Sequence, residues 1–263
     1  MSAFRAVLAR HHLISLAALA VMIVLAWGWL LSGAGMGMAP GASWLPAGLA
    51  EDPMLAMMLP GDMPWTVSQF LMTFAMWWVM MVAMMLPSAA PMILLHARAV
   101  PAAARPATDS FTLGYLLVWG FFSLVATLAQ WRLATAALLS SMAMATSSPS
   151  LAAALLIAAG VYQISPWKDA CLRECRNPAI FLSRHYRPGW TGALRLGARH
   201  GAWCVGCCWM LMALLFVGGI MNLAWIAVLT LLVALEKLLP WGRAVSVLAG
   251  AGCILLGWAI LLG

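Results

Sequence analysis

Long apolar runs separated by short polar breaks fill most of the chain. The first run extends from about Leu13 to Leu31, and the second, from about Val67 to His96, contains two prolines. An apolar stretch of about 20 residues is long enough to cross a bilayer as a helix. Five more runs follow, at about 111–133, 151–167, 200–217, 220–239 and 244–262. The pattern predicts an all-α, polytopic transmembrane bundle of about seven helices in a single domain, residues 1–263.

The breaks and irregularities in this pattern lead to further predictions. Pro87 and Pro91 lie in the second half of the second run, where proline predicts a kink or a break in the helix. The first run is longer than the apolar part of a signal peptide, so we expect a retained helix. Residues 32–66 are rich in Gly, Pro and Met and contain no Lys or Arg, whereas residues 168–199 contain seven basic residues.

Composition supports a membrane environment. Hydrophobic residues make up 65% of the chain and charged residues 8%, with a mean hydropathy of +0.98. Soluble domains contain about 25% charged residues, so lipid is the expected solvent for most of this surface. The net charge of +7 is therefore not interpreted as a nucleic-acid footprint, and we expect the bilayer, not a nucleic acid, as the main partner.

The distribution of basic residues predicts the orientation. Lys and Arg concentrate in loops on the cytoplasmic side of a membrane. This rule places four regions on that side: the N-terminus, the break with Arg98 and Arg105, the segment 168–199, and the break with Lys237 and Arg243. We therefore predict a cytoplasmic N-terminus, an external C-terminus, a Met-rich outer loop at 32–66 and a basic cytoplasmic loop at 168–199.

The strongest chemical signal is a histidine and three cysteines at the start of the fifth run, namely His200, Cys204, Cys207 and Cys208. On an ideal helix His200, Cys204 and Cys207 point within about 60° of one another, and Cys208 lies about 80° from His200. An imidazole and thiols on one helix face are ligands for a soft metal ion. The alternative is that these residues are buried packing residues.

Two further polar elements are predicted near the same side of the membrane. Cys171 and Cys175 follow the fourth run, and on a helix their sulfurs would share a face. A site of four soft ligands could then close across the loop. Glu236 lies near the inner end of the sixth run, where a carboxylate is costly and often functional. Its alternative role is an interfacial ion pair with Lys237 or Arg243.

Methionines form a third candidate group. On the second run Met81, Met85 and His96 fall within about 80° on an ideal helix, which makes them candidate ligands at the level of the cysteines, although methionine also serves as packing. More methionines lie in the predicted outer loops: Met36, Met38, Met54, Met57, Met58, Met63, Met142 and Met144. Thioethers bind Cu(I) without losing a proton. The predicted topology thus places thioethers on the outer side of the membrane and thiols on the cytoplasmic side. This arrangement would suit a soft cation that is passed inward across the membrane.

Several motifs together resemble a bacterial family of predicted metal-binding integral membrane proteins of unknown function. The similarity covers roughly residues 70–243 and rests on Met80–Pro87, Tyr162-Gln163, Pro166–Lys168, Cys171–Cys175, Gly197–Trp209, Gly218–Leu223 and Glu236–Pro240. The resemblance implies a multi-pass protein of the bacterial inner (cytoplasmic) membrane with a metal site. It implies no specific activity or mechanism. Many members of the family have His between the two cysteines, where this chain has Glu174.

Three functional hypotheses remain open from the sequence. The first is a membrane protein that binds copper and transports it or delivers it to a membrane metalloenzyme or a soluble metal chaperone. The second is a thiol–disulfide or redox enzyme that uses the paired cysteines with a quinone or heme. The third is an assembly subunit with a structural zinc ion. We assign no catalytic residue.

Overall fold

The computed structural model describes residues 2–33, 65–100, 106–140 and 144–262, without the side chains of residues 2–12 and 106. Regular structure in these ranges is helical, apart from one isolated bridge between Leu139 and Thr146. The all-α prediction is confirmed. The helices are α1 (Ser2–Leu31), α2 (Val67–Ala99), α3 (Pro106–Thr135), α4 (Pro149–Ile164), α5 (Pro166–Arg176), α6 (Pro178–His185), α7 (Trp190–Ala213), α8 (Leu215–Gly218), α9 (Leu223–Leu238) and α10 (Gly242–Leu262).

Several of these helices have the length and composition of membrane spans. Five stretches in the described part of the chain are apolar enough and long enough to cross a bilayer: Leu13–Leu31, Val67–Ala99, Ala107–Thr135, Trp190–Gly218 and Gly242–Leu262. The pair α4 and α5 passes the same test with a bend of 62° between them. These features indicate a multi-pass membrane protein. The number of about seven spans and the orientation remain predictions.

Helix α2 is continuous through Pro87 and Pro91. Of the kink or break predicted at these prolines, the break does not occur. Proline removes the N–H that would bond the carbonyl four residues earlier, and for Pro87 that carbonyl belongs to Ala83. The indole Nε1 of Trp27 on α1 donates to the Ala83 oxygen at 3.1 Å, so a neighbouring helix satisfies the freed group.

The segment 168–199, expected to be a loop, is mostly helical. It contains most of α5, all of α6 and the first ten residues of α7. The Ser165 hydroxyl caps α5 by accepting from the Lys168 N–H, and α6 and α7 are separated by a turn at Gly189, whose φ is 86°. The density of arginine in this segment predicts a loop, because polar segments between apolar runs are usually loops. The sequence pattern therefore does not reveal these helices.

Glycine contacts set the packing of the helices. A Cβ atom at Gly197 on α7 would overlap the Phe111 carbonyl on α3. Likewise, a Cβ atom at Gly114 on α3 would overlap the Leu194 carbonyl on α7. Small residues of this kind let membrane helices approach closely. The α3–α7 contact therefore fixes the position of α7, the helix that carries the predicted cysteine site.

Two arginines join the ends of neighbouring helices. Arg243 at the start of α10 donates to the carbonyls of Gln163, Ile164 and Ser165, where α4 ends. In return, Arg176 at the end of α5 donates to the carbonyls that follow α9, at 2.8 Å and 2.6 Å. Carbonyls at a helix end lack the N–H partners that the helix interior provides, so side-chain donors can bind there. The two contacts hold α5 beside α9.

Candidate metal centre

The three cysteines of α7 lie inside the bundle and not on a lipid-facing surface. Cys204, Cys207 and Cys208 are each 1% exposed, and all are free thiols. Side chains from α2, α3, α5 and α9 meet them. The sulfurs of several helices therefore gather at one place, as the sequence pattern predicted for a soft-metal site.

Cys204 is the cysteine with charged and polar neighbours. The Lys237 ammonium on α9 donates to its Sγ at 2.9 Å and to the Ser88 hydroxyl of α2 at 3.2 Å. The Tyr115 hydroxyl of α3 lies 3.1 Å from the same sulfur. A buried ammonium group needs an anionic or strongly accepting partner. Lys237 is therefore placed to balance the negative charge of a thiolate at this position.

Cys207 is the centre of the thiol cluster. Its thiol interacts with those of Cys175, Cys204 and Cys208. Because Cys175 lies on α5, the cluster joins two helices that are separated along the chain by the α6 segment. The Cys207 and Cys208 thiols also donate to the Cys204 carbonyl, at 3.1 Å and 2.9 Å. The sulfurs thus have protein partners that a metal ion would have to replace.

Cys171 lies at the contact between α5 and α7. A Cβ atom at Gly206 would lie 2.9 Å from the Cys171 sulfur, so the glycine makes room for this close approach. The neighbouring Tyr162 hydroxyl donates to the Gly206 carbonyl. Cys171 is half-buried, like Cys175. Both predicted α5 cysteines therefore border the buried thiols, at a more open edge of the cluster.

One methionine of α2 reaches the cluster. The Met85 thioether lies 3.8 Å from the Cys208 Sγ, and the Met85 carbonyl accepts from the Tyr115 hydroxyl at 3.3 Å. Met81, one turn earlier on the same face of α2, is fully buried, and among the described residues the hydrogen bond from a cysteine thiol to a thioether goes to Met85. Of the two predicted methionines, the structure therefore brings Met85 to the thiols.

His200 lies in an aromatic enclosure one turn before Cys204. Ring centroids of Phe111, Tyr115 and Phe181 surround it at 6.1 Å, 5.8 Å and 5.4 Å. The side chain is buried, and its Nδ1 has no hydrogen-bond partner in the described part of the chain. A buried polar atom without a partner is uncommon. This nitrogen is free to accept a ligand if the imidazole rotates or the cluster rearranges.

The donors are gathered but do not form a closed metal polyhedron. Among the described residues, no group of three or more His, Cys, Asp and Glu side chains has the geometry to hold a metal ion. The reason is local, because Cys207 and Cys208 turn toward a carbonyl and Cys204 toward an ammonium group. Their chemistry, thiol and thioether, fits Cu(I) better than a hard cation.

The comparison with protein families decides between the broad classes that this chemistry allows. The family model of the copper chaperone PpoB2 matches residues 74–261. The chain belongs to the PpoB2 copper chaperone family. The match contains every part of the thiol cluster and supports the metal-related family and the copper association expected from the sequence. No curated protein and no solved structure is significantly similar to the chain.

Other residues predicted for the site of this PpoB2 family member lie elsewhere. Glu236, a candidate site residue whose alternative predicted role is an ion pair with Lys237 or Arg243, pairs instead with Lys168, at 2.6 Å. His96 stacks on Phe111, and its Nδ1 lies 3.2 Å from the Thr108 hydroxyl. The outer-loop methionines, apart from Met144, lie outside the described residues. Their role as ligands remains a prediction.

Two residues that contact the thiol cluster are not predicted from the sequence. Tyr115 and Lys237 both contact Cys204, yet each belongs to a different helix. The sequence pattern places Lys237 in a polar break, where a basic residue predicts the membrane orientation. In the structure Lys237 lies in the last turn of α9 and is 7% exposed. A basic residue directly after a carboxylate, within an apolar helix, is the signal that could have drawn attention to it.

Proposed function

We propose that the protein is a membrane-embedded copper chaperone that accepts Cu(I) at the thiol cluster and passes it to a partner. The observation that carries this proposal is the burial of the three α7 thiols together with the Met85 thioether, whose sulfur lies 3.8 Å from the Cys208 Sγ. Family membership supports copper as the cargo. The proposed ligands are the buried sulfurs and the adjacent imidazole: Cys175, Cys204, Cys207, Cys208, Met85 and His200.

The donor set is suited to holding a soft ion and releasing it. Thiolates and thioethers prefer Cu(I) to hard cations. Cys207 and Cys208 need only rotate about their side-chain bonds to exchange a carbonyl partner for a metal ion, which is a small barrier compared with refolding a helix. When the ion leaves, the same hydrogen bonds re-form. The Cys207 and Cys208 thiols can thus have a partner in both states.

The half-buried cysteines provide a route for transfer. Cys171 and Cys175 border the buried thiols and are more exposed than they are. A partner chaperone that offers its own thiols could contact these two sulfurs first. We propose that this edge faces the cytoplasm, as the distribution of basic residues predicts, and that methionines of the outer segments supply copper from the other side.

Two metal-binding arrangements give different measurable outcomes. A structural zinc site is closed and permanent, whereas a copper-delivery site gives up its ion to a competing ligand. The thiol–disulfide hypothesis makes a third prediction, because mild oxidation would then form a disulfide and remove two hydrogens from the protein mass. Metal identity and mass therefore separate the three functions.

The test uses the full chain purified in an uncharged detergent and loaded with Cu(I) under reducing conditions. The variant Cys204→Ser/Cys207→Ser removes two buried sulfurs, and Cys253→Ser serves as the matched control, because Cys253 is a free, half-buried cysteine on α10. Elemental mass spectrometry measures copper and zinc per chain. We expect about one retained copper in the parent and control, and less than about a tenth in the double variant.

Three results would count against the proposal. Equal copper content in the parent and the double variant would place the ion elsewhere. Zinc that resists a strong chelator would favour a structural metal. A disulfide in the parent after mild oxidation, together with no retained copper, would favour thiol–disulfide chemistry.

A further inference from the structure

A cavity of about 350 Å³ lies where α6 ends and α7 begins. Its walls include four arginines, the backbone of one glycine and an aromatic ring: Arg184, Arg187, Arg195, Arg199, Gly192 and Tyr186. This arginine pocket is distinct from the thiol cluster, since no cysteine is among the residues that line it. Its volume is within the range of small-ligand sites, which is about 300–1,000 Å³.

The positive charge of the pocket is largely unbalanced. Arg184 meets Glu174 at 3.9 Å, with both side chains partly exposed to solvent, and such a surface pair is weak. Arg187, Arg195 and Arg199 form no ion pair with any described residue. Three converging guanidinium groups repel one another. An anion between them would remove this repulsion.

The start of α7 adds a second feature that favours an anion. Gly189 occupies the N-cap of this 24-residue helix, no side chain caps it, and its first turn has no acidic residue. The first N–H groups of a helix have no partner within it, and they carry a partial positive charge. Gly192 in that turn lines the pocket. A ligand in the pocket can therefore reach both the helix N-terminus and the arginines.

Exposed aromatic residues mark the depth of the pocket in the membrane. Trp190 and Tyr186 flank it and are 62% and 43% exposed, and Trp167 and Trp241 at the same end of the bundle are 75% and 70% exposed. Exposed Trp and Tyr side chains are enriched at the level of lipid headgroups. The pocket is thus at the level where phosphate groups of lipids are most concentrated.

We infer that the arginine pocket binds the phosphate group of an anionic lipid headgroup. Guanidinium groups bind phosphate oxygens in pairs, with a geometry that an ammonium group lacks. The pocket is open enough for a phosphate that remains attached to its glycerol, and the acyl chains can continue into the bilayer beside Trp190. This site is independent of copper binding, so either assignment can fail without the other.

The experiment counts lipids bound to the full chain by native mass spectrometry from an uncharged detergent. Three probes are added separately: phosphatidylglycerol, phosphatidylcholine and inorganic phosphate. The pocket variant is Arg187→Gln/Arg195→Gln. The control Arg98→Gln/Arg173→Gln removes the same charge from two exposed arginines outside the pocket. Elution volume and copper content check that each variant is folded.

We expect one tightly bound phosphatidylglycerol in the parent chain and about 100-fold weaker binding in the pocket variant, at about tenfold for each arginine whose charge-assisted hydrogen bonds to the phosphate are lost. The control should lose less than about threefold. A pocket variant with Lys in place of both arginines should be intermediate, because it keeps the charge but loses the paired hydrogen bonds.

Each of three outcomes would overturn the inference. Equal losses in the pocket and control variants would show attraction to general surface charge. Equal binding of phosphatidylcholine would show that the anionic headgroup is not recognised. Saturation by inorganic phosphate at the same concentration would assign the pocket to a soluble phosphate and not to a lipid.

Discussion

Two buried lysines on the two sides of α9 have very different partners. Lys168 is fully buried, and its ammonium group contacts the Glu236 carboxylate at 2.6 Å and the Gln163 side-chain oxygen. Lys237, the next residue along α9 after Glu236, contacts the Cys204 sulfur instead. Adjacent residues on a helix point about 100° apart. Helix α9 therefore separates a carboxylate network from the thiol cluster.

The difference between the two networks lies in what their acceptors can do. In the carboxylate network every oxygen of Glu236 is used, since Oε1 accepts from the Gln163 amide at 2.7 Å and Oε2 from Lys168. Such a closed set can only hold helices α4, α5 and α9 together. A thiol can keep its proton, lose it or bind a metal ion. The same type of buried cation thus serves structure on one side of α9 and a chemically variable site on the other.

The largest expected effect comes from breaking the carboxylate network. Glu236→Gln leaves the Lys168 ammonium buried without an opposite charge, and we expect a loss of about 3–5 kcal/mol in the free energy of unfolding. Unfolding in mixed micelles with increasing denaturing detergent measures this change. Copper affinity of the folded fraction should stay unchanged, because Glu236 is on the other network. A loss below about 1 kcal/mol would contradict the structural role.

A double variant sharpens the same comparison. Lys168→Met/Glu236→Leu removes both charges and leaves apolar side chains of similar size, so it should recover most of the stability that either single variant loses. If the losses of Lys168→Met and Glu236→Leu simply add in the double variant, the two residues are not coupled, and the ion pair would not be the source of either effect.

The sequence predicted the helical bundle and the cysteine face but not the charge pairing. Spacing alone places His200, Cys204 and Cys207 on one side of a helix, because that relation is local. Which lysine meets which acceptor depends on how α5 and α9 pack, and nothing local encodes it. The sequence pattern places both Lys168 and Lys237 in polar segments, where basic residues predict the membrane orientation. Their burial follows from tertiary packing.

A similar reason explains the error at the basic segment. Helices α5 and α6 together contain one lysine and three arginines, and a polar segment between apolar runs is usually a loop. The apolar residues Leu172, Phe181 and Leu182 are nevertheless buried, so these short helices have an inner face. One or two buried apolar residues on each of these short helices give too weak a periodic signal to be recognised in a single sequence.

A smaller effect is expected at the thiol cluster. Lys237→Met removes the donor to Cys204, and we expect copper affinity to fall by about tenfold, since a hydrogen bond with a charged donor is worth about 1.5–3 kcal/mol. Stability should fall less than in Glu236→Gln, because the Cys204 thiol can keep its proton and stay neutral. Competition with a Cu(I)-binding dye measures the affinity.

The matched control for this variant is Lys168→Met, which removes the other buried ammonium group. It should lower stability strongly and leave the copper affinity of the folded protein unchanged. The reverse result, with copper affinity lost in Lys168→Met and kept in Lys237→Met, would assign the metal-linked role to the carboxylate network and remove the basis for the comparison.

The smallest effect is expected at the thioether next to Cys208. Met85→Leu keeps nearly the same volume, so its cost in stability should be below about 1.5 kcal/mol. It removes one soft donor, and we expect copper affinity to fall about fivefold. Met81→Leu is the control, because Met81 is buried one turn earlier on the same face of α2. Equal copper affinities in the two variants would make Met85 a packing residue, and the site would then consist of thiols and imidazole alone.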